Sequence, residues 1–179
     1  MKAETVGIFI DYANLLSSLK KSMIKGDIPY GKISHAKLRN FMCRQSILYY
    51  VFVYVGILKE ESERLVEAME RQGFFAVTKP VKLIFLDEGI LKKCNFDVEI
   101  TLDIMDLHRL GRLPDRIVLV TGDSDFTSLV SWLKIYGYKV EVVSTYYALS
   151  TELKGAVMEG SKGKCYFFLE EIWEKVALC

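Results

Sequence analysis

Ile117-Val118-Leu119-Val120, running directly into Thr121-Gly122-Asp123-Ser124-Asp125-Phe126, is the stretch on which the fold turns. A continuous branched apolar run of this kind reads as a central strand of a parallel sheet covered on both faces. Near the N-terminus Val6-Gly7-Ile8-Phe9-Ile10 ends in the same manner, in Asp11. Ligands of open α/β sheets bind in the crevice beyond the carboxyl ends of such strands, so Asp11, Asp123 and Asp125 are expected to converge there. Like charges repel unless a cation or a shared proton intervenes, and the pattern points to a divalent-metal site.

Outward from these two strands the periodicity alternates between strand and helix. Asn14 to Ser22 carries Leu15, Leu16 and Leu19 at helical spacing, and Ser34 stands as N-cap to a helix reaching Arg44 with Leu38, Phe41 and Met42 inward. Ile47 to Val55 is rich in β-branched and aromatic residues and reads as a strand; Lys59 to Gln72 reads as an amphipathic helix with a solvated acidic face. A strand at Phe74–Val77 precedes a hairpin, Val81–Leu86 and Ile90–Lys93, turning at Asp87-Glu88-Gly89. The next helix, Phe96 to Leu110, is expected to pack through Val98, Leu102 and Met105, and the one after Asp125 through Leu129, Val130 and Leu133. A strand at Lys139–Val143, a helix over Ala148–Met158, a strand at Cys165–Leu169 and a helix over Glu170–Val176 complete the chain. Such βαβ units joined by right-handed crossovers predict an α/β three-layer sandwich. Its mainly parallel sheet should have about five strands, with those of Asp11 and Asp123 adjacent.

The 179 residues, 51% hydrophobic and 26% charged, suit one compact domain over 1–179. A formal net charge of +1 gives no global attraction to a polyanion, so nucleic-acid binding would need a local basic patch. No apolar run approaches the roughly 18 residues of a membrane span, and no signal-peptide layout precedes the first strand, so a cytoplasmic protein is expected. Cys43, Cys94, Cys165 and Cys179 form no CxxC pair, which argues against a structural zinc or a disulfide framework. Oligomeric state is open, a homodimer included.

Asp97, in the first turn of the Phe96 helix, is a fourth acid able to project toward the strand ends. Asp103 lies about 240° around that helix, off the same face, and is expected to orient a neighbour or meet solvent. Asn14 and Ser124 are placed to support the acids. Ile10-Asp11-Tyr12-Ala13-Asn14-Leu15, Asp97-Val98-Glu99-Ile100-Thr101-Leu102-Asp103 and Leu119-Val120-Thr121-Gly122-Asp123-Ser124-Asp125-Phe126 together resemble, in order and spacing, the three motifs of LabA-like proteins in the NYN domain family, part of the PIN-like nuclease group. The resemblance spans roughly residues 5 to 145, with residues 146–179 adding a C-terminal strand and helix. It implies a PIN-like parallel sheet, an Mg²⁺ or Mn²⁺ site at Asp11, Asp97, Asp123 and Asp125, Asn14 as polar partner of the first acid, and ribonuclease activity. Family members often carry glycine where this chain has Tyr12, and Lys-Gly before the middle aspartate where it has Cys94-Asn95-Phe96.

For RNA contact, Lys79, Lys82, Lys92 and Lys93 cluster on and beside the hairpin just ahead of Asp97, where they either steer a phosphodiester backbone or protect a sheet edge. Tyr12 either stacks on a base or belongs to the core. The leading expectation is a metal-dependent endoribonuclease, and the alternative is a non-catalytic RNA-binding or regulatory module. A haloacid-dehalogenase-like phosphatase needs a second aspartate at position 13, where Ala13 stands, and no GxGxxG turn for a dinucleotide follows the first strand.

Overall fold

The computed structural model describes residues 3–86 and 89–178, the side chains of 86, 91 and 92 excepted. Its strands are β1 (Thr5–Asp11), β2 (Ile47–Ile57), β3 (Phe75–Pro80), β4 (Lys82–Leu86), β5 (Gly89–Lys93), β6 (Arg116–Val120), β7 (Lys139–Ser144) and β8 (Tyr166–Phe168). Its helices are α1 (Tyr12–Lys25), α2 (His35–Cys43), α3 (Glu60–Glu70), α4 (Asp97–Arg109), α5 (Thr127–Ile135), α6 (Thr151–Met158) and α7 (Leu169–Val176), with a 3₁₀ turn at Ser124–Phe126. Six strands form one sheet in the order β3-β2-β1-β6-β7-β8. Every pairing in it is parallel, and β1 and β6 are neighbours, with Val6 to Ile10 in register with Arg116 to Val120. This is an α/β, PIN-like three-layer sandwich whose sheet has six strands where about five were expected, the strand read at Cys165–Leu169 joining the β7 edge as the short β8.

Alternation along the central strands divides the core in two. Val6, Ile8 and Ile10 of β1, with Val118 and Val120 of β6, face α1, α2, α3 and α7. Phe9, Ile117 and Leu119 point the other way, against α4, α5 and α6. Strands buried on both faces cannot alternate apolar with polar residues, which is why β1 and β6 read as continuous apolar runs. The chain winds outward from β1 in one direction and from β6 in the other, so their carboxyl ends meet at the switch point of the sheet.

Packing differs from expectation on α4. Val98, Leu102 and Met105 are exposed at 67%, 57% and 42%, whereas Ile100 and Ile104 are buried. Both sets satisfy helical spacing, and burial of Phe96 just ahead of the helix, against Tyr54, selects the second. On α1 Leu15 and Leu19 are buried and Leu16 is not. The hairpin forms as an antiparallel pair, Lys82 opposite Lys93 and Phe85 opposite Ile90; its turn residues Asp87 and Glu88 lie outside the described residues, as does Cys179. Among the described residues no helix is long and apolar enough to cross a membrane.

At the amino end of β6, Arg116 is 3% exposed and is satisfied by Glu4, Glu141, the carbonyls of Met42 and Cys43, and Ser46 Oγ. Charge buried at that end of the sheet is fully compensated. The carboxyl end is the opposite case.

Candidate active site

Asp11, the last residue of β1, is 8% exposed and caps α1: its carboxylate accepts from the Asn14 amide at 3.0 Å. Asn14 Oδ1 in turn accepts from the Gly122 amide at 3.1 Å, joining the first turn of α1 to the loop that follows β6. That loop is held from its other side by Ser150, whose amide donates to the Gly122 carbonyl at 2.9 Å. Asp123 follows at once and caps the 3₁₀ turn, accepting from the Asp125 amide at 3.1 Å. Asp97 opens α4, its amide donating to Asn95 Oδ1 at 2.8 Å.

These caps bring carboxylates together from three elements. Asp97, Asp123 and Asp125 each present an oxygen within 4.8 Å of the others. Asp11 lies behind this trio rather than in it, close enough that Asp97 and Asp123 disfavour its ionised form. Burial is the larger cause, and together they push its carboxyl up to about 6 despite the opposing hydrogen bond from Asn14. Asp97 is also raised, first by burial and then by Asp123, Asp125 and Glu99, with Asn95 opposing. Among the described residues no lysine or arginine forms a salt bridge with any of the four; the nearby Lys79 is paired with Glu99 and lies over the Phe96 ring at 4.4 Å. A cluster of hard oxygen donors lacking internal counter-charge suits a divalent cation such as Mg²⁺ or Mn²⁺.

A family model for the NYN domain matches residues 5–159, which takes in all four aspartates. The chain belongs to the NYN domain family. Among solved structures, this NYN domain is similar to a Vibrio parahaemolyticus RIMD 2210633 protein of unknown function, VPA0982, over 99% of this chain and 100% of that one, with a TM-score of 0.70 at 20% identity. At that identity the likeness is one of fold. No curated protein matches the chain.

The remaining candidate residues of the NYN domain fall around this trio as follows. Tyr12 is 7% exposed and turned into the core, its hydroxyl 3.2 Å from His35 Nε2, so no ring face is offered to a base. Asp103 accepts from the hydroxyl of fully buried Tyr54 at 2.8 Å and so orients a core residue away from the trio. Lys79 is committed to Glu99, while Lys82 and Lys93 are exposed and Lys92 stands opposite Leu83 with its side chain outside the described residues. Ser124 borders a polar cleft of about 310 Å³ beside Asp123, shared with Ser17, Lys21 and Tyr147. Sequence reading missed Lys21 and Tyr147. A usable signal was Tyr147's place in the loop after β7, which ends at the same sheet edge.

The raised Asp11 has a consequence for stability. A carboxyl near 6 in the fold, against 3.8 in the unfolded chain, favours folding fully only below about pH 4, and that contribution is lost as pH rises through 6. In chelator at pH 7, Asp11→Asn should therefore be more stable than wild type by about 1–3 kcal/mol, since asparagine caps a helix equally well. The gain should fade as pH falls from 7 to 4, as read by urea denaturation across that range. Equal stabilities at pH 7 would show that Asp11 carries no such penalty.

Proposed function

We propose that this protein is a metal-dependent endoribonuclease of the LabA-like branch of the NYN family, working on RNA as a single unit over residues 1–179 in the cytoplasm. The observation that carries this reading is the convergence of Asp97, Asp123 and Asp125 at the switch point, with Asp11 buried behind them and, among the described residues, no lysine or arginine in a salt bridge with any of the four. Asp97, Asp123 and Asp125 would hold Mg²⁺ or Mn²⁺, with Asp11 adding negative charge from behind. When bound, such a cation supplies charge neutralisation of the phosphodiester and activation of water.

The chain's own residues do the positioning. Asn14 fixes the loop carrying Asp123 by accepting from Gly122, so the acids of β1 and β6 keep one spacing. The capping bond from the Asp125 amide turns the Asp123 carboxylate back over its own loop. Ser124 and Lys21 line the cleft that leads away from Asp123 and offer a hydroxyl and an ammonium donor to phosphate oxygens, while Ser17, also on its wall, donates its hydroxyl to the Asn14 carbonyl. Lys82, Lys92 and Lys93 of the hairpin would attract the same backbone from the side of Asp97.

The test is hydrolysis of a labelled single-stranded RNA by purified protein with Mg²⁺, with Mn²⁺ and with excess chelator. Internal cleavage that requires the metal is the expected result. Binding without cutting under every condition would replace this reading with a regulatory RNA-binding module. In the same assay format, changing Lys82, Lys92 and Lys93 together to alanine should weaken RNA binding at low salt. It should also make its salt dependence shallower by about 0.7 in log–log slope for each phosphate that the lysines no longer neutralise. Affinity and slope both equal to wild type would assign these lysines to edge protection alone.

A further inference from the structure

The β4–β5 hairpin and the outer face of α4 pose a common problem: apolar surface without a partner inside the molecule. A two-stranded hairpin is at best marginally stable alone in water and needs an apolar face covered. Phe85 and Ile90 are directly paired across the hairpin, and Leu83, two residues along, shares their face. They are exposed at 75%, 56% and 43%. On α4, Val98, Leu102 and Met105 recur at i, i+4 and i+7 and make one outward stripe, also exposed. Six such side chains present on the order of 700 Å² per copy, close to the ~800 Å² that each partner contributes to a standard stable interface. Apolar surface on that scale marks an interaction site in a soluble protein.

We infer that the occupant is a second copy of this chain, the hairpin arm of each copy lying across the α4 stripe of the other in a two-fold dimer. One chain carries both a projecting apolar ridge and an apolar helical stripe, and neither is covered by the other within the molecule. Reciprocal exchange covers both at once and closes, leaving no free copy of either surface. Lys82 and Lys93 pair with each other on the opposite face of the hairpin from Phe85, so docking leaves them free for phosphate. The stripe starts at Val98, beside Asp97, which sets the partner's arm along the rim of the acidic site.

The inference is tested by mass, independently of any cleavage. Light scattering and sedimentation of the full chain should show a dimer that dissociates on dilution, while Phe85→Lys and Leu102→Glu should each run as monomers. Both positions are exposed, so thermal unfolding of either variant in circular dichroism should stay cooperative. Mixing the two variants should restore a dimer, because the mixed pair has one unaltered arm–stripe junction and one Lys–Glu junction. Wild type that is monomeric at 100-fold the concentrations used for dilution would overturn the inference, as would dimers that survive both substitutions or a mixture that stays monomeric. A monomeric wild type whose RNA affinity falls in a Phe85→Glu variant would give the arm to RNA instead.

Discussion

Asp123→Asn is expected to reduce metal-dependent RNA cleavage by at least ~100-fold, a rise of about 2.7 kcal/mol in the barrier, while leaving the fold intact. Asparagine keeps the carbonyl oxygen that accepts from the Asp125 amide, so the 3₁₀ turn retains its cap. What is lost is one negative charge out of three carboxylates that converge within 4.8 Å, and a neutral amide is a weaker ligand for a hard cation. Without metal the sign of the stability effect reverses, because Asp123 is one of the charges disfavouring ionised Asp11 and Asp97. Mn²⁺ should accordingly raise the unfolding temperature of wild type and leave that of the variant nearly unchanged, by the linkage between ligand binding and folding. Full activity in Asp123→Asn, or wild-type cleavage that persists in chelator, would remove the trio from the chemistry.

The sheet was legible because β1 and β6 are buried on both faces, which forces unbroken apolar runs, and the position of their acids followed from the carboxyl-edge rule. Periodicity could not decide between two apolar stripes on α4, since a helix with apolar residues on two faces gives the same spacing for either. The choice is made by Phe96, through its packing on a residue distant in sequence. For Tyr12 and Lys79 the local sequence left two roles open, and contacts distant in sequence decide between them. Tyr12 follows Asp11 in the chain and Lys79 stands just ahead of the hairpin lysines, yet Tyr12 is drawn into the core beside His35 and Lys79 is held by Glu99. Asp103 was rightly set apart from Asp97 by helix geometry, but its partner Tyr54 sits on another element and left no trace in the local sequence. Compensation of Arg116, likewise, is assembled from separate stretches of chain.

Gly122→Ala should damage stability and activity together, by a steric route independent of charge. A Cβ at this position would lie 2.2 Å from the Ala148 carbonyl oxygen, 2.3 Å from its carbon and 2.6 Å from Ser144 Oγ. The first two are backbone atoms and cannot rotate aside, so either the loop after β6 or the segment before α6 must move. Movement of the first pulls the Gly122 amide from Asn14 Oδ1, and movement of the second threatens the Ser150 bond to the Gly122 carbonyl. Overpacking of this kind costs about 1–3 kcal/mol, and the two strained hydrogen bonds add about 1 kcal/mol each. Because Asp123 is the next residue, the same displacement spreads the carboxylate trio, and a shift of about 1 Å at a catalytic group can cost ~100-fold in rate. Gly155→Ala supplies the contrast: it sits in α6 with nothing within 4 Å of its added Cβ, so alanine there should stabilise by up to about 1 kcal/mol and spare cleavage. Urea denaturation and RNA cleavage measured on both variants separate a clash at the site from a general intolerance of alanine for glycine. Gly122→Ala matching wild type in both measurements would mean that the loop is slack and that Asn14 does not fix the spacing of the acids.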